Sequence, residues 1–389
     1  MLKYGRQIIE VLILFIMRVF NIKNNKIAFM TFSGSKYGDS PKYIANNLLL
    51  EKNKYEMIWL TNDISDSSIP QTIRPVKYPS LQGIYELATA KIWVKNNMNI
   101  FDWGKRKEQK YLQTWHGFGP KKDLVEKNSN TRIHKILRDL NSRVIASKID
   151  CYLSRSPIQS SIFRNSVGHG YYKGEMLMVG SPRNDIFFHE NIKLIENIRE
   201  NLNLREKQKV LMYAPTYRNM LELPKTNLDY SLCIQSLQKK YGGEWVIFLR
   251  MHPSLKEKIS LPDNTMYDIR DVSSYPDIQE LLLVTDILIS DYSSITFDFA
   301  LTKRPCILYV PDLEDYSNSD RSLHMPLETL PFRLAKSNHE VERQILMFNL
   351  EEYNREINEF IIKYNSAENG NATKKSIIWI EKQLGKDKI

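Results

Sequence analysis

The sequence predicts an α/β protein of two domains, each built on a parallel sheet that helices cover on both faces. The chain has 389 residues, which is long enough for two cores of ordinary size. Hydrophobic residues make up 42% of it and charged residues 26%, a composition typical of globular proteins. Short runs rich in Val, Ile, Phe and Tyr alternate with longer helical patterns, and this alternation indicates a parallel sheet.

The predicted strands are short apolar runs in both halves of the chain. Those of the first half are Lys26–Phe32, Tyr55–Leu60, Lys91–Lys95, Tyr111–Thr114, Cys151–Leu153 and Met176–Val179. Those of the second half are Val210–Tyr213, Trp245–Leu249, Asp286–Ile289 and Cys306–Val310, with helices at Tyr230–Lys240, Asp277–Val284 and Ser294–Leu301. A Gly-Ser-Pro turn interrupts the pattern at Gly180–Glu190, which we interpret as the junction between the halves.

These patterns divide the chain into four predicted parts. Residues 1–25 form an amphipathic helix, residues 26–185 a first Rossmann-like domain, and residues 186–345 a second one. Residues 346–389 fit helices that either close the structure or cross back onto the first domain.

The amino-terminal helix is expected to lie on a membrane surface. Its apolar run, Val11–Met17, is bounded by Glu10 and Arg18 and is much shorter than the roughly 20 residues of a spanning helix. At 100° per residue the polar side chains fall in one sector, as in an interfacial helix. These are Lys3, Arg6, Gln7, Glu10, Arg18 and Asn21. Packing on the protein's own core is the alternative, and no small-residue cleavage site of a signal peptide follows.

Charge and cysteine content indicate which ligands the protein can attract and in which compartment it lies. Residues 1–150 contain 25 Lys and Arg against 13 Asp and Glu, whereas the remainder contains 30 against 32. A basic first half can attract anionic lipid, a phosphorylated substrate or nucleic acid, and the lack of a basic-aromatic motif argues against nucleic acid. The three cysteines have no paired spacing, so neither a disulfide framework nor a cysteine zinc site is predicted, and a reducing cytoplasm fits best.

A pair of hydroxyl residues marks a candidate site in the second half. The stretch Asp286–Ser294 runs from a buried strand into a turn, and a helix follows. Ser293 and Ser294 therefore lie at a helix amino terminus, where free backbone N–H groups and the helix dipole bind anions. Capping accounts for one serine, but the pair after a buried strand predicts a phosphate site.

Residues after two other strands extend this candidate site. Arg250 and His252 end one strand, while Thr216 and Arg218 follow another. Their cationic and hydrogen-bonding groups suit a diphosphate at the carboxyl ends of the strands. No Walker loop and no Gly-x-Gly-x-x-Gly occurs, so ATP or NAD binding through those motifs is not predicted.

The first half carries a candidate base. His116 follows a predicted strand and precedes Gly117 and the basic residue Lys121. A histidine, with an unperturbed pKa of about 6.5, can take a proton from an attacking hydroxyl near neutral pH. Asp39 and Lys42 open a helix and form a second polar rim, although an N-cap followed by proline explains them without function.

Six of these stretches together resemble the CDP-glycerol glycerophosphotransferase family, the primases and polymerases of teichoic acid synthesis. They occur in order and are Tyr37–Tyr43, Thr114–Gly117, Gly180–Asp185, Tyr213–Arg218, Arg250–Pro253 and Thr285–Ala300. The resemblance implies a GT-B-like arrangement of two Rossmann-like domains and transfer of glycerol phosphate from CDP-glycerol with release of CMP.

The resemblance also implies roles for the candidate residues. His116 would be the base on the acceptor side, with Asp39, Lys42, Gly117 and Lys121 near it. His252 would be the second catalytic residue. The donor diphosphate and nucleotide would be held by Arg250, His252, Ser293, Ser294, Asp291, Thr216 and Arg218. Basic side chains and helix dipoles can neutralise a diphosphate, so neither a metal ion nor a cofactor is required.

The expected acceptor is an undecaprenyl-diphosphate-linked saccharide at the cytoplasmic face of the membrane, to which the protein binds peripherally. The size of the chain favours a primase-like enzyme over a polymerase. Ser322, Leu323, Asn219 and Leu330–Arg333 depart from the family pattern and leave CDP-ribitol open as donor. A GT-B glycosyltransferase using sugar nucleotides and a catalytically inactive assembly subunit are the other hypotheses, and the oligomeric state is open.

Overall fold

The computed structural model describes residues 2–50, 54–119, 132–167, 170–216, 228–251, 267–316, 323 and 325–385. The chain divides into two compact units. Unit 1 comprises Met1–His116, Asn128–His189 and Tyr364–Ile389, and unit 2 comprises Gly117–Lys127 and Glu190–Lys363. The chain thus passes from unit 1 to unit 2 after His116 and again after His189, and it returns to unit 1 at Asn128 and at Tyr364.

Unit 1 is built on a parallel sheet that has seven strands in the part of the chain described. In chain order they are β1 (Lys23–Met30), β2 (Glu56–Thr61), β3 (Arg74–Lys77), β4 (Ala90–Lys95), β5 (Lys110–Gln113), β6 (Cys151–Ser154) and β7 (Glu175–Met178). Across the sheet their order is β3-β2-β1-β4-β5-β6-β7. Helices connect them: α1 (Leu2–Ile16), α2 (Asp39–Leu48), α3 (Leu81–Thr89), α4 (Arg132–Lys148) and α5 (Pro157–Ile162).

Successive residues of β1 explain why this sheet is covered on both faces. Ile27 and Phe29 belong to one apolar cluster, and Ala28 and Met30 belong to another. Because side chains alternate along a strand, the apolar run Ile27–Met30 at the end of β1 needs a core on each side. The continuous apolar run in the sequence therefore predicted a central strand correctly.

Unit 2 repeats the architecture with a parallel sheet of six strands among its described residues. They are β8 (Lys209–Ala214), β9 (Trp245–Leu249), β10 (Asp268–Asp271), β11 (Ile287–Ser290), β12 (Cys306–Tyr309) and β13 (Arg333–Ala335), in the spatial order β10-β9-β8-β11-β12-β13. Its helices are α6 (Ile192–Asn201), α7 (Tyr230–Tyr241), α8 (Ile278–Leu283), α9 (Ile295–Phe299), α10 (Leu313–Asp315), α11 (Asn338–Leu346) and α12 (Leu350–Lys363).

Both sheets reverse their strand order at one place near the middle. In unit 1 the reversal lies between β1 and β4, and in unit 2 it lies between β8 and β11. Connections leave such neighbouring strands toward opposite faces, so a crevice opens at their carboxyl ends, where ligands bind in open α/β sheets. The residues that follow these four strands are therefore the ones to examine for chemistry.

The last helix, α13 (Ala372–Gln383), belongs to unit 1. Its residues Ala372, Ile377, Trp379 and Ile380 are part of the same apolar cluster as β1 and β2. At its amino terminus the Asp185 carboxylate accepts hydrogen bonds from the backbone N–H groups of Ala372 (3.0 Å) and Thr373 (2.7 Å). A residue far away in sequence thus caps this helix, because the preceding Asn371 makes no side-chain cap.

The amino-terminal helix α1 packs on unit 1 with the side that carries Glu10, Val11 and Leu14, all of which are buried. Of the predicted polar sector, Glu10 is only 8% exposed, Arg18 is half-buried and Asn21 is exposed. Between residues 9 and 20, the exposed side chains are all apolar: Ile9, Leu12, Phe15, Ile16, Val19 and Phe20. Among the residues searched, no helix is long and apolar enough to cross a membrane.

We predict that Asp185→Ala destabilises unit 1 by about 1–2 kcal/mol, the usual cost of losing an N-terminal cap. The reason is that two N–H groups at the start of α13 lose their acceptor. Equilibrium urea unfolding followed by circular dichroism measures the change.

Asn371→Ala is the matched control, because Asn371 stands at the cap position without using its side chain as a cap. Its unfolding free energy should stay within about 0.5 kcal/mol of the parent. Equal losses in the two variants would contradict the assignment of the cap to Asp185.

Candidate functional site

His116 lies after β5, next to the reversal of strand order in unit 1, and its side chain is exposed. Its Nδ1 is 2.7 Å from the backbone oxygen of Asn96, the residue after β4. A carbonyl oxygen only accepts, so Nδ1 carries the proton of this hydrogen bond and the other ring nitrogen, Nε2, is left as an acceptor. The exposed imidazole therefore has the tautomer that a general base needs.

Two aromatic side chains flank this imidazole. The Trp115 ring lies 4.7 Å from it between centroids, and the Phe32 ring lies 5.7 Å away in an edge arrangement. Trp115 has a positive φ of 56°, a conformation that bulky residues rarely adopt. Its backbone N–H donates to the Gln113 side-chain oxygen at 2.9 Å, so a buried amide helps to hold the strained turn that carries His116.

Asp39 begins α2 and is buried, and its predicted role on the acceptor side stays a prediction. Its carboxylate accepts from Arg183 Nη1 at 3.0 Å, from Asn96 Nδ2 at 3.0 Å and from the Ser40 backbone N–H at 2.6 Å. Burial alone would raise the pKa of Asp39, but the Arg183 guanidinium and the Ser40 N–H together hold it below its usual value. Asp39 is therefore a charged, fully engaged carboxylate beneath the His116 loop.

Lys42, the other predicted rim residue, is half-buried on α2. Its Nζ lies 5.5 Å from the centroid of the Tyr43 ring. Its predicted role on the acceptor side stays a prediction.

Sequence reasoning missed two members of this group, Asn96 and Arg183. Arg183 stands in the Gly180–Asp185 stretch, which was noted only as a family motif. Asn96 follows a predicted apolar strand directly, and a polar residue at the carboxyl end of a buried strand was the signal that could have found it.

Three consecutive residues of the Gly180–Asp185 stretch have separate structural partners. Arg183 pairs with Asp39, Asn184 donates to Glu368 Oε1 at 2.9 Å, and Asp185 caps α13. The Glu368 carboxylate also accepts from the Ser181 N–H at 3.1 Å. The motif therefore joins α2, the turn itself and the carboxy-terminal segment of unit 1.

In unit 2, Asp291 and Thr216 meet at the reversal between β8 and β11. The Asp291 carboxylate accepts from the Thr216 N–H at 2.9 and 3.0 Å and from its hydroxyl at 2.6 Å. It also accepts from the N–H of Tyr292 at 2.7 Å. Asp291 therefore ties the turn after β8 to the turn after β11, which carries the serine pair.

Ser293 and Ser294 lie at the amino terminus of α9, as predicted, and both are half-buried. Ser294 occupies the cap position but its side chain makes no cap hydrogen bond. The Ser293 hydroxyl has only a long contact of 3.4 Å with the N–H of Ile295. Neither hydroxyl is thus committed to a short helix-cap bond.

The segment Gly117–Gly119, which belongs to unit 2, packs against this serine pair. A Cβ on Gly117 would stand 2.6 Å from Ser294 Oγ, and one on Gly119 would stand 2.9 Å from Ser294 Cα. Between them, the Phe118 ring packs edge-on against Phe297 of α9 at 5.7 Å. The sequence predicted that these glycines allow a substrate to approach the backbone. In the structure they allow Ser294 to pack closely against it.

Arg250 has a different environment from the one its sequence position suggested. Its Nη1 donates to the backbone oxygens of Val272 (2.6 Å), Ser273 (2.7 Å) and Tyr275 (2.8 Å). Burial lowers the pKa of Arg250, an effect that Asp277 and Asp271 oppose. This nitrogen fixes the loop after β10, and a contact of Arg250 with a donor stays a prediction.

Three predicted site residues, His252, Arg218 and Lys121, lie outside the described residues. Within the residues searched for metal sites, no group of three or more His, Cys, Asp or Glu side chains could hold a metal ion.

Comparison with known proteins gives one family. A family model for CDP-glycerol:poly(glycerophosphate) glycerophosphotransferase matches residues 12–382. A teichoic acid poly(glycerol phosphate) polymerase of Staphylococcus epidermidis is 31% identical over 341 residues, which are 83% of this chain and 46% of that protein. A polymerase of the same description from Bacillus spizizenii is 33% identical, with 82% of each chain covered. The chain thus spans about half the length of the first relative and most of the second.

Solved structures agree with this result. The wall teichoic acid polymerase TagF superposes with a TM-score of 0.83 at 27% identity, covering 99% of this chain and 97% of that chain. A variant of the same polymerase has been solved after a soak with CDPG. The similarity, together with the two parallel sheets described above, confirms the predicted α/β, GT-B-like fold class.

We predict that Thr216→Val destabilises unit 2 by about 1–2 kcal/mol, because the Asp291 carboxylate loses a short hydroxyl donor. Urea unfolding measures the effect. Thr216→Ser keeps the hydroxyl and should retain most of the stability. If the serine and valine variants unfold at the same urea concentration, the hydroxyl bond does not hold these turns together.

Proposed function

The chain belongs to the CDP-glycerol:poly(glycerophosphate) glycerophosphotransferase family, and on that basis we propose that it transfers glycerol phosphate from CDP-glycerol to a hydroxyl of a lipid-linked saccharide. CMP is the second product, and the proposed role is synthesis of teichoic acid or a capsule-like polymer. Membership confirms the resemblance carried by the six sequence motifs. The observation that carries the mechanism is the exposed His116 imidazole with Nδ1 bound to the Asn96 carbonyl oxygen.

In the proposed reaction His116 acts on the acceptor. The acceptor hydroxyl oxygen attacks the phosphorus that bears glycerol, and its proton passes to Nε2 of His116. The new O–P bond forms as the bond between this phosphorus and the CMP oxygen breaks, so CMP leaves with the electron pair. Proton transfer by a positioned base contributes about 10²–10⁴-fold to the rate.

We propose that unit 2 binds the donor. Phosphoryl transfer depends on positioning and charge stabilisation, and hydroxyls at a strand-to-helix turn supply donors for diphosphate oxygens. Ser293 and Ser294 fill this role, while Asp291 and Thr216 hold their turn in place. Arg250 supports the site through the loop after β10, and His252 and Arg218 complete the proposed set.

The first experiment measures CMP release from CDP-glycerol with an undecaprenyl-diphosphate-linked saccharide. We expect release by the parent protein and a loss of about 10²–10⁴-fold in His116→Ala, because the base is removed. His339→Ala is the control, since that histidine is exposed on α11 and belongs to neither site.

The same assay separates the alternatives. Release of CMP from CDP-ribitol in preference to CDP-glycerol would change the donor, and release of UDP from a sugar nucleotide would make the protein a glycosyltransferase. The length of the product distinguishes a primase from a polymerase. Unchanged turnover in His116→Ala would overturn the mechanism.

We further propose that the protein binds peripherally to the cytoplasmic face of the membrane, where a lipid-linked acceptor would lie. The exposed face of α1 and the turn after it is apolar at six successive outward positions, from Ile9 to Phe20. Leu14 and Val11 face the core, so they keep the helix attached to unit 1. An apolar helix face of this kind partitions into the lipid interface.

Cations close to this helix support the same proposal. Arg106 donates to the backbone oxygens of Met17 at 3.3 Å and Phe20 at 2.7 Å, and Arg18 donates to the backbone oxygen of Gly104 at 3.1 Å. Positive side chains beside an apolar face favour anionic lipid headgroups. The three cysteines are free and buried, which fits the reducing side of the membrane.

We predict that the triple variant Leu12→Ser, Ile16→Ser and Val19→Ser binds vesicles containing phosphatidylglycerol roughly tenfold or more weakly, because three apolar side chains no longer enter lipid. Co-sedimentation measures the binding. The control is Ile64→Ser with Leu81→Ser, which removes apolar side chains that are equally exposed elsewhere in unit 1. Equal binding by the two variants would exclude α1 as the contact.

A further inference from the structure

We propose that Asn96, Asp39 and Arg183 are positioning residues that fix the tautomer, orientation and charge environment of His116. The inference rests on the proposed role of His116 as a base. All four residues belong to unit 1, and Asn96, Asp39 and Arg183 are buried. None of the three is proposed to contact substrate.

Hydrogen bonds connect His116 through Asn96 and Asp39 to Arg183, and we call this series of contacts the relay. It begins at the backbone of Asn96. Its carbonyl oxygen holds Nδ1 of His116, so the position of this peptide group sets the plane of the ring. The Asn96 side chain is held at both ends: Nδ2 donates to Asp39 Oδ2 at 3.0 Å, and Oδ1 accepts from the Phe32 N–H at 2.8 Å. The Phe32 ring then packs on His116, which closes a loop of contacts around the imidazole.

The relay ends in a buried ion pair. Arg183 Nη1 lies 3.0 Å from Asp39 Oδ1, and the two side chains are 5% and 6% exposed. Burial would raise the pKa of Asp39, but Arg183 and the Ser40 N–H hold it below its usual value, and the charge of His116 acts in the same direction. Asp39 and Arg183 thus place opposite charges in the same buried group of residues, so removing either one leaves the other charge uncompensated.

Backbone strain is concentrated around the same residues. Phe32, Ser33, Asp39 and Trp115 all have positive φ values, between 44° and 57°, although none is glycine. Such conformations persist only where surrounding bonds over-determine them, and they are frequent at functional sites. In this protein the hydrogen bonds of Asn96, Asp39 and Gln113 supply that restraint.

Charged groups on the elements around His116 also matter for a pH measurement. Lys36 Nζ lies 5.0 Å from the Phe32 ring centroid, and thus near the ring that contacts His116. Lys95 and Asp102 form a buried ion pair beside the turn, and Tyr111 links Asp102 to Gln113. These groups stay unchanged in the variants below.

The test is the acidic limb of the pH profile of kcat, where activity falls as the base becomes protonated. Asp39→Asn leaves the Arg183 charge uncompensated, so we expect the limb to move to lower pH by about half a unit. Arg183→Met leaves the Asp39 charge, so we expect a shift to higher pH. The opposite directions distinguish a charge effect on His116 from simple damage to the fold.

Two further variants guard against unfolding. Asparagine tolerates the positive φ of position 39, so Asp39→Asn should not strain the backbone. The double variant Asp39→Asn with Arg183→Met leaves no unpaired charge buried. It should therefore fold, and its acidic limb should lie at the same pH as that of the parent. Glu86→Gln breaks another buried ion pair of unit 1, with Lys26 at 2.6 Å, and should lower stability without moving the limb.

A second measurement does not depend on turnover. Nitrogen NMR of 15N-histidine protein, with His116→Gln to assign the signal, should show His116 protonated at Nδ1 in the parent and a mixture of tautomers in Asn96→Leu. Limbs that shift in the same direction, or a tautomer unaffected by Asn96→Leu, would overturn the relay. An intact tautomer response without CMP release would instead refute the proposed function.

Discussion

The reversal of strand order in each sheet is the constraint on which the two sites depend. Neighbouring strands β1 and β4, like β8 and β11, are not consecutive in the chain and send their connections to opposite faces. Backbone groups at their carboxyl ends are thereby left without a covering helix. Asn96 follows β4 and Asp291 follows β11, and each uses this position to tie together turns that are distant in sequence.

Buried polar side chains at the carboxyl ends of these strands form hydrogen bonds within the protein itself. Asp39, Asp291 and Arg250 were predicted as ligand-binding residues, yet each has several short hydrogen bonds to the protein itself. A buried charge needs such partners because its desolvation is costly. The exposed groups, above all His116, are the ones left for an incoming molecule.

The centre of each sheet could be predicted from the sequence, whereas most edges could not. Strand β9 and the second half of β1, Ile27–Met30, are buried on both faces and appear as continuous apolar runs. Edge strands β3, β10 and β13 were missed, because a strand with a single neighbour needs little apolar surface; β10 is Asp-Ile-Arg-Asp. Partners such as Arg183 for Asp39 were not predictable either, since they are 144 positions apart.

The outward face of α1 illustrates a related difficulty. The periodicity of the sequence predicted a helix with polar residues in one sector. It could not predict which side of the helix would pack against the core of unit 1. Glu10 became buried because Val11 and Leu14, beside it on the helix, belong to the core. An amphipathic pattern gives the two faces of a helix, and tertiary packing decides which of them water contacts.

The return of α13 to unit 1 bears on the order in which the protein can fold during synthesis. Trp379 and Ile380 complete a core whose other members include Ile27 and Phe29 at the opposite end of the chain. Unit 1 therefore cannot close that core until the ribosome has made α13. The described strands of unit 2 all lie between residues 209 and 335, and its last described helix ends at Lys363. Unit 2 can therefore complete its core before unit 1 does.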